Sequence, residues 1–410
     1  MPLSETAPAP STGKWLSVIG IGEDGVAGLG ERAKRLIAEA GTVFGGERHL
    51  ELAHTLTKGE VVSWPKPFDA GMALVRERRG RKTCVLASGD PFCHGVGVTL
   101  ARHVPIEEMD VIPAPSAFSL AASRLGWALH DTETISVHGK PVSLLRPHLH
   151  PNARLLVLTS DENGPAQVAR LLGQTGFAQS RVTVLEALGG EREKITHHIA
   201  ESLAGSFDAL NLLAIEVLGK GSPLPFAPGL PDDAFAHDHQ ITKRSIRALT
   251  LSALAPRRGE LLWDVGAGSG SIGIEWMLCH PSLNTIAIEP RADRAANIRL
   301  NADTLGAPGL KLVEGRAPDA LAGLPTPDAI FIGGGGSESG VMEAAIVALR
   351  SGGRLVANAV TLEMEAVLLR EHATRGGELQ RIQLARAEGV GTMTGWRPAM
   401  PVTQWSWVKP

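Results

Sequence analysis

The 410-residue chain contains no tyrosine, only three cysteines and only 4% aromatic residues. Cys84, Cys93 and Cys279 make no even framework and no CxxC pair, which excludes a disulfide scaffold and points to free thiols in a reducing cytoplasm. No apolar run approaches the ~18 residues that span a bilayer, so a membrane partner is not expected. The opening MPLSETAPAPST lacks an apolar stretch as well and reads as a disordered tail, not a signal peptide. Neither sign of charge dominates: 40 Lys and Arg face 43 Asp and Glu, for a net charge of −3. That balance excludes a basic nucleic-acid coat and a polybasic membrane binder. Lysine is scarce among the basic residues, at 11 of 40, leaving 29 arginines. Genome composition can produce this bias, and so can a partner rich in carboxylates or phosphates, which the guanidinium fork pairs bidentately.

What is present is an ordinary globular composition, 43% hydrophobic and 20% charged, long enough for two or three domains of roughly 150 residues. The clearest boundary is Gly219–Pro231, GKGSPLPFAPGLP, where four of thirteen residues are proline and neither a helix nor a central strand can continue. It separates a module at 13–220 from one at 232–410. The first module opens with a short apolar run, WLSVIGI, then a helical pattern at Ala33, Leu36, Ile37 and Ala40. Thr83–Ala87 and Asp110–Ile112 read as further buried strands, and Ser116 as the cap of an alanine-rich helix. Past about residue 113 the pattern changes to strands at Thr134–Val137, Leu155–Thr159, Val182–Leu185 and Ala209–Val217. A parallel α/β lobe followed by a mixed α/β lobe is therefore expected. In the second module, strands at Leu261–Val265, Asn284–Ile288, Leu310–Val313, Asp328–Ile332 and Arg354–Val360 alternate with helices, as in a doubly wound parallel sheet. The fold class is α/β throughout.

The strongest motif is LLWDVGAGSG, with Glu289 closing the next strand. Gly266, Gly268 and Gly270 allow close backbone approach, and the following helix offers free N–H groups to an anion. A carboxylate at the end of the second strand suits ribose hydroxyls. The G-x-G-x-G spacing, with Asp264 before it, points to S-adenosylmethionine. NADP stands as a second reading because Arg291 follows Glu289, and a bare glycine turn as a third. Gly315-Arg316-Ala317-Pro318 and DAIFIGGGG end later strands, where an adenine ring and a flat substrate would lie; a flexible loop is the alternative for the glycine run. In the first module, VIGIGEDG and ASGDPFCHGVG place two glycine loops on one sheet edge and suggest a cleft. The histidine pairs at 148/150, 197/198 and 237/239 lack HExxH spacing and a Cys partner, so no metal site is expected. No G-x-S-x-G turn supports hydrolase chemistry. Trp396, Trp405 and Trp407 read as sheet packing, not a stacking platform.

On these stretches the chain resembles the precorrin-6Y C(5,15)-methyltransferase (decarboxylating) family of cobalamin biosynthesis. VIGIGEDG, ASGDPFCHGVG, VIPAPSAFSLAASRLGW and SVHGK are similar to a two-lobed tetrapyrrole methylase module. PDDAFAHDHQITKRSIRALTLSAL, DVGAGSGSIGIEW, AIEPRADRAANIRLNADTLG, EGRAPDAL, IFIGGGG and LVANAVTLE are similar to a Rossmann-like methyltransferase/decarboxylase module. The resemblance implies methylation of precorrin-6B at carbons 5 and 15, loss of the ring C acetate carboxyl as carbon dioxide, and precorrin-8 as product. It implies one S-adenosylmethionine site per module. Carried over by motif, Thr242, Gly266, Ala267, Gly268, Ser269, Gly270, Glu289 and Ala317 would hold the cofactor in the second module. Gly22, Gly89, Asp90, Ser116 and Ala117 would do so in the first. Lys243, Arg244, Arg291 and Arg397 are candidate clamps for the tetrapyrrole carboxylates, each with a solvated surface charge as the plain alternative. Arg316 departs from the family's G-D-A-P; a guanidinium cannot accept from an adenine amino group. No catalytic acid, base or metal is implied, and a homo-oligomer is. Two other readings remain: the same chemistry on RNA, disfavoured by net charge and aromatic scarcity, and a tetrapyrrole-carrying scaffold with decayed sites, opposed by the intact DVGAGSG and Glu289.

Overall fold

The computed structural model describes residues 13–410, so the N-terminal tail lies outside the described residues. The chain divides into two compact units, one of residues up to Val142 with Pro151–Ser222, the other of Ser143–His150 with Pro223–Pro410.

In the first unit, strands β1 (Leu16–Ile21), β2 (Thr42–Gly45), β3 (Glu60–Ser63), β4 (Thr83–Ser88) and β5 (Met109–Ile112) form a sheet in the order β3-β2-β4-β1-β5. Every pairing in it is parallel. Both faces are covered: Leu16 and Val18 pack with Phe44, Val85 and Met72, while Ile19 and Ile21 pack with Leu86, Ala33 and Ile37. Burial on both sides explains why these strands read as continuous apolar runs. β2 and β3 escape detection in the sequence: TVFG is enclosed by glycines on both sides, and EVVS, at the sheet edge, is largely exposed. The second sheet takes β6 (Glu133–Ser136), β7 (Arg154–Leu158), β8 (Arg181–Glu186), β9 (Lys194–Ile199) and β10 (Asn211–Glu216) in the order β6-β7-β10-β8-β9. It is mixed, with only β6 and β7 parallel. Ser116 caps the helix Ala117–Leu125, its Oγ accepting from Ser119 N–H at 3.1 Å, and Phe118, Ala121 and Ala122 of that helix pack on Leu156, Leu185 and Leu212.

The second unit has a seven-stranded sheet of β11 (Leu261–Val265), β12 (Asn284–Glu289), β13 (Lys311–Glu314), β14 (Ala329–Ile332), β15 (Arg354–Ala359), β16 (Glu378–Ile382) and, after a separate hairpin β17 (Ala385–Val390) and β18 (Met393–Pro398), β19 (Val402–Val408). The order is β13-β12-β11-β14-β15-β19-β16. Parallel pairing runs from β13 to β15, but β19 is antiparallel to both β15 and β16. The expected all-parallel sheet thus carries one antiparallel strand, β19, between β15 and the edge strand β16. The chain reaches β19 from a hairpin, without the crossover helix that parallel pairing requires. Trp405 and Trp407 stack at 6.0 Å between ring centroids inside this core, as packing residues. Trp396 does not: it is 77% exposed, because β18 belongs to a two-stranded ribbon outside the main sheet. Among the described residues, no helix is long and apolar enough to cross a membrane.

A buried arginine fixes the approach to the sheet. Arg247, fully buried on the helix Arg244–Leu254, donates through Nε to Glu275 and reaches Asp232 at 3.2 Å and the carbonyl oxygens of Leu230 and Thr242. Glu275, also buried, accepts from Leu230 N–H at 3.0 Å and from Gly229 N–H. The stretch after the proline-rich segment is thereby tied to two helices, and Gln240–Lys243 is held beside the glycine loop.

Candidate functional site

In the second unit a pocket of about 730 Å³ opens at the carboxyl ends of β11, β14 and β15, a volume within the usual range for small-molecule sites. Gly266, Ala267, Gly268 and Ser269 line it, with Gly333 and Gly334 from the end of β14, Asn358 from β15, Gln240–Lys243, and the β17–β18 hairpin opposite. Three glycines of the loop have positive φ: 70° at Gly266, 60° at Gly268 and 75° at Gly270. A Cβ on Gly266 would sit 2.5 Å from the Gly334 carbonyl oxygen, so these two loops approach as only glycine allows. At Gly268 a Cβ would meet nothing nearer than 4.0 Å, leaving that backbone open.

Glu289, buried at the end of β12, accepts from Gly268 N–H at 2.8 Å through Oε2 and from Arg291 N–H at 3.1 Å through Oε1. These bonds aim the carboxylate along the loop and leave each oxygen a lone pair. Asp264 is fully buried behind the loop, with Oδ2 accepting from Gly273 N–H at 3.0 Å and Oδ1 without a partner. Burial pushes its carboxyl up to about 7 against the pull of that hydrogen bond, and the nearby Glu289 charge adds to the rise. Ser269 Oγ is another buried, unpartnered polar atom, and its residue lines the pocket. An open glycine backbone, a positioned carboxylate and an unmatched hydroxyl fit the amino-acid and ribose ends of S-adenosylmethionine.

Of the other residues expected here, Thr242, Lys243 and Arg397 line the pocket. Gly270 stands at the N-terminus of the helix Ser271–Leu278, against Ile298. Ala317 packs against the core cluster of β11 and β14, while Arg316 beside it points to Glu338 at 2.8 Å. Glu289, Gly270, Ala317, Arg244 and Arg291 are not in the pocket lining: Glu289 lies buried behind Gly268, and Arg291 pairs with Asp293 at 2.5 Å and Asp238 at 3.4 Å. Sequence reasoning missed Asn358, Arg294 and Arg386. Asn358 carried a readable signal, a polar residue inside the apolar run RLVANA. Arg386 carried none, because a lone arginine in an exposed strand is indistinguishable from a solvated one.

Arg386 stands directly opposite Arg397 across the hairpin, and both line the pocket. Like charges in that register oppose pairing. Arg397 meets Glu388 at 3.0 Å, whereas Arg386 and Lys243 have no ion-pair partner among the described residues. One wall of the pocket is therefore a standing excess of positive charge.

The first unit has a much smaller cleft of about 60 Å³, lined by Gly22, Glu23, Arg48, Ser88, Gly89, Pro115, Ala117 and Asn211 together with leucines of the helix Ala117–Leu125 and of the second sheet and its loops. The loops come from the carboxyl ends of β1, β2, β4 and β5, where parallel sheets bind ligands. Gly89 has φ 57°, and a Cβ there would lie 2.8 Å from the Pro115 carbonyl oxygen. Asp90 Oδ1 accepts from Phe92 N–H at 2.8 Å, and Ser116 is taken up in capping; neither is in the cleft lining. Glu23, Arg48 and Asn211, not anticipated from sequence, are. Glu23 pairs with Arg48, which also donates to Ser88 Oγ at 3.3 Å. Beside them, burial and the Arg48 charge push His49 down to about 4.

Known proteins divide along the same lines. The family of tetrapyrrole (corrin/porphyrin) methylases matches residues 16–204, and the precorrin methyltransferase domain matches 233–409. A precorrin-6Y C(5,15)-methyltransferase [decarboxylating] of Sinorhizobium sp is 63% identical over 398 residues, 96% of each chain. The chain belongs to the precorrin-6Y C(5,15)-methyltransferase (decarboxylating) family. Within this family's span, each half also has relatives of its own. A probable cobalt-precorrin-6B C(15)-methyltransferase (decarboxylating) of Pyrobaculum calidifontis is 34% identical over 192 residues, 44% of this chain and 98% of the relative. A cobalt-precorrin-7 C(5)-methyltransferase of Salmonella typhimurium is 30% identical over 200 residues, 49% of this chain and 98% of the relative.

Proposed function

We propose that this protein methylates precorrin-6B at carbons 15 and 5 and removes the ring C acetate carboxyl as carbon dioxide, giving precorrin-8. The observation that carries this reading is the second unit's pocket, where an open glycine backbone faces a wall on which Arg386 and Lys243 have no ion-pair partner among the described residues. A tetrapyrrole bearing many carboxylates supplies the charge that wall lacks. RNA as acceptor gains no support from a chain of net charge −3 with 4% aromatics.

The module at 232–410 is assigned to carbon 15 and decarboxylation. The module at 13–220, its lobes meeting near residue 113, is assigned to carbon 5. The names of the two half-length relatives, one acting on cobalt-precorrin-6B and the other on cobalt-precorrin-7, support the order carbon 15 first, carbon 5 second. Each module holds one S-adenosylmethionine, whose sulfonium supplies the methyl group. In the second, Gly266–Gly270, Thr242 and Ala317 form its cradle and Glu289 takes the ribose hydroxyls. In the first, Gly22, Gly89, Asp90, Ser116 and Ala117 do the corresponding work. Lys243, Arg386 and Arg397 hold substrate carboxylates, and with no general base assigned, positioning dominates the catalysis. We further assign the protein to the cytoplasm as a homo-oligomer. Incubation with precorrin-6B and methyl-labelled cofactor, read by mass spectrometry, tests the reading: the product gains two methyls and loses carbon dioxide. An unchanged substrate mass with cofactor bound would contradict it.

A further inference from the structure

Asn358 sits at the carboxyl end of β15, in the pocket lining, and is the outermost member of a buried polar chain. Behind it lie Thr250, fully buried, and Gln404, 3% exposed. The Thr250 hydroxyl donates to the Ile246 carbonyl oxygen at 2.8 Å, which uses its single proton. Thr250 Oγ1 can therefore only accept from Asn358, whose Nδ2 lies 2.9 Å away. That settles the amide: Nδ2 faces Thr250, and Oδ1 accepts from Gln404 Nε2 at 2.9 Å. Gln404 Nε2 also reaches Thr250 Oγ1 at 3.2 Å, closing the triangle. One N–H and one lone pair of Asn358 are left over. An apolar residue would fill the end of this strand more cheaply than an asparagine with two buried polar residues built behind it.

We propose that Asn358 grips the carboxylate that is lost, donating its remaining N–H to the ring C acetate. This inference rests on the functional reading above. In that step the bond between the acetate methylene and its carboxylate breaks, carbon dioxide departs, the electron pair passes into the conjugated macrocycle, and a proton from water completes a methyl group. The carboxylate gives up its negative charge on the way, so a cation bound to it would stabilise the starting state and slow the reaction. A neutral amide orients the group through one hydrogen bond without that penalty. The pocket thus separates two tasks: Lys243, Arg386 and Arg397 for carboxylates that stay, Asn358 for the one that leaves.

Three variants test this against precorrin-6B, with carbon dioxide release as the readout and precorrin-7 methylation in the same preparation as a control for the rest of the chain. Asn358→Asp keeps the shape, removes the donor and adds a repelling charge. Its kcat for carbon dioxide release falls roughly ten- to hundredfold at neutral pH, and recovers as falling pH protonates the new carboxyl into an O–H donor. Asn358→Leu loses about tenfold with no such recovery. Thr250→Val leaves Asn358 in place but unties its amide, and lowers kcat while the cofactor dissociation constant stays put. Wild-type kcat in Asn358→Asp, a loss that low pH does not relieve, or wild-type kcat in Thr250→Val would each overturn the proposal. Wild-type protein releasing no carbon dioxide from precorrin-6B would overturn the functional reading beneath it instead.

Discussion

In the cleft of the first unit, Glu23 and Arg48 pair with each other beside Ser88 and leucines line the rest, around about 60 Å³. In the pocket of the second, about 730 Å³ is walled by Arg386 and Lys243, which meet no carboxylate of the described chain. Both sites use the same backbone device, a positive-φ glycine pressed against a neighbouring loop: Gly89 against Pro115, Gly266 against Gly334. They differ in where charge is spent. The first unit neutralises its charges inside the cleft. The second buries one neutralised pair, Arg247–Glu275, behind the pocket, and in front of it leaves Arg386 and Lys243 open to a ligand beside the paired Arg397. The comparison teaches that a shared loop geometry says little about the state of the side chains around it.

The sharpest way to break this comparison is to remove the two arginines. Arg247→Met strands the buried Glu275 carboxylate and should cost about 3–5 kcal/mol of stability in urea denaturation. Arg48→Met should cost only about 1 kcal/mol, because Arg48 is partly exposed and Glu23 keeps Arg192 at 3.5 Å. Equal losses would erase the distinction between charge behind the pocket and charge within the cleft.

Titration sharpens it further, since the two sites respond to pH in opposite senses. Asp264 is raised in the folded state to about 7, so between about 4 and 7 the folded chain holds a proton that the unfolded chain has released. Its stabilising contribution is complete at low pH and is lost as pH rises through that window. His49 is lowered to about 4, so between about 6.5 and 4 the unfolded chain binds the extra proton. Its contribution is complete above that window and is lost as pH falls through it. Asp264→Asn should therefore flatten a declining stability profile, and His49→Gln a rising one, both read from thermal midpoints against pH. Slopes of the same sign would refute the assignment.

The smallest effect is expected at the pocket wall. Arg386→Gln should raise KM for precorrin-6B about tenfold, the worth of one charge-assisted hydrogen bond. It should leave KM for precorrin-7 unchanged, and relief of the Arg386–Arg397 repulsion should add a few tenths of a kcal/mol of stability. An unchanged KM for precorrin-6B would reduce Arg386 to a surface charge.

The sequence exposed the elements whose burial is two-sided or whose loops need glycine. β11 occupies Leu261–Val265 as read, and Ser116 caps its helix as read, because apolar runs and capping chemistry act locally. β2 between its glycines and the largely exposed edge strand β3 carry no clear apolar pattern, and the antiparallel return of β19 is decided by the hairpin before it, not by its own residues. Ser143–His150, far upstream of the proline-rich boundary, joins the second unit through contacts such as Ser143 Oγ to Asp303 at 2.9 Å, which no local pattern announces. At the sites, Gly266–Ser269 and Thr242 were legible through a motif, whereas Glu23, Arg48 and Arg386 were not. Their significance lies in what stands opposite them across a cleft or a hairpin.

The central claim is that two separate sites perform two separate methylations. Glu289→Ala, supplied in parallel with precorrin-6B and with precorrin-7, tests it most directly. The account predicts no carbon-15 product and no carbon dioxide from precorrin-6B, with carbon-5 methylation of precorrin-7 at the wild-type rate. Loss of both reactions in a folded protein would contradict it.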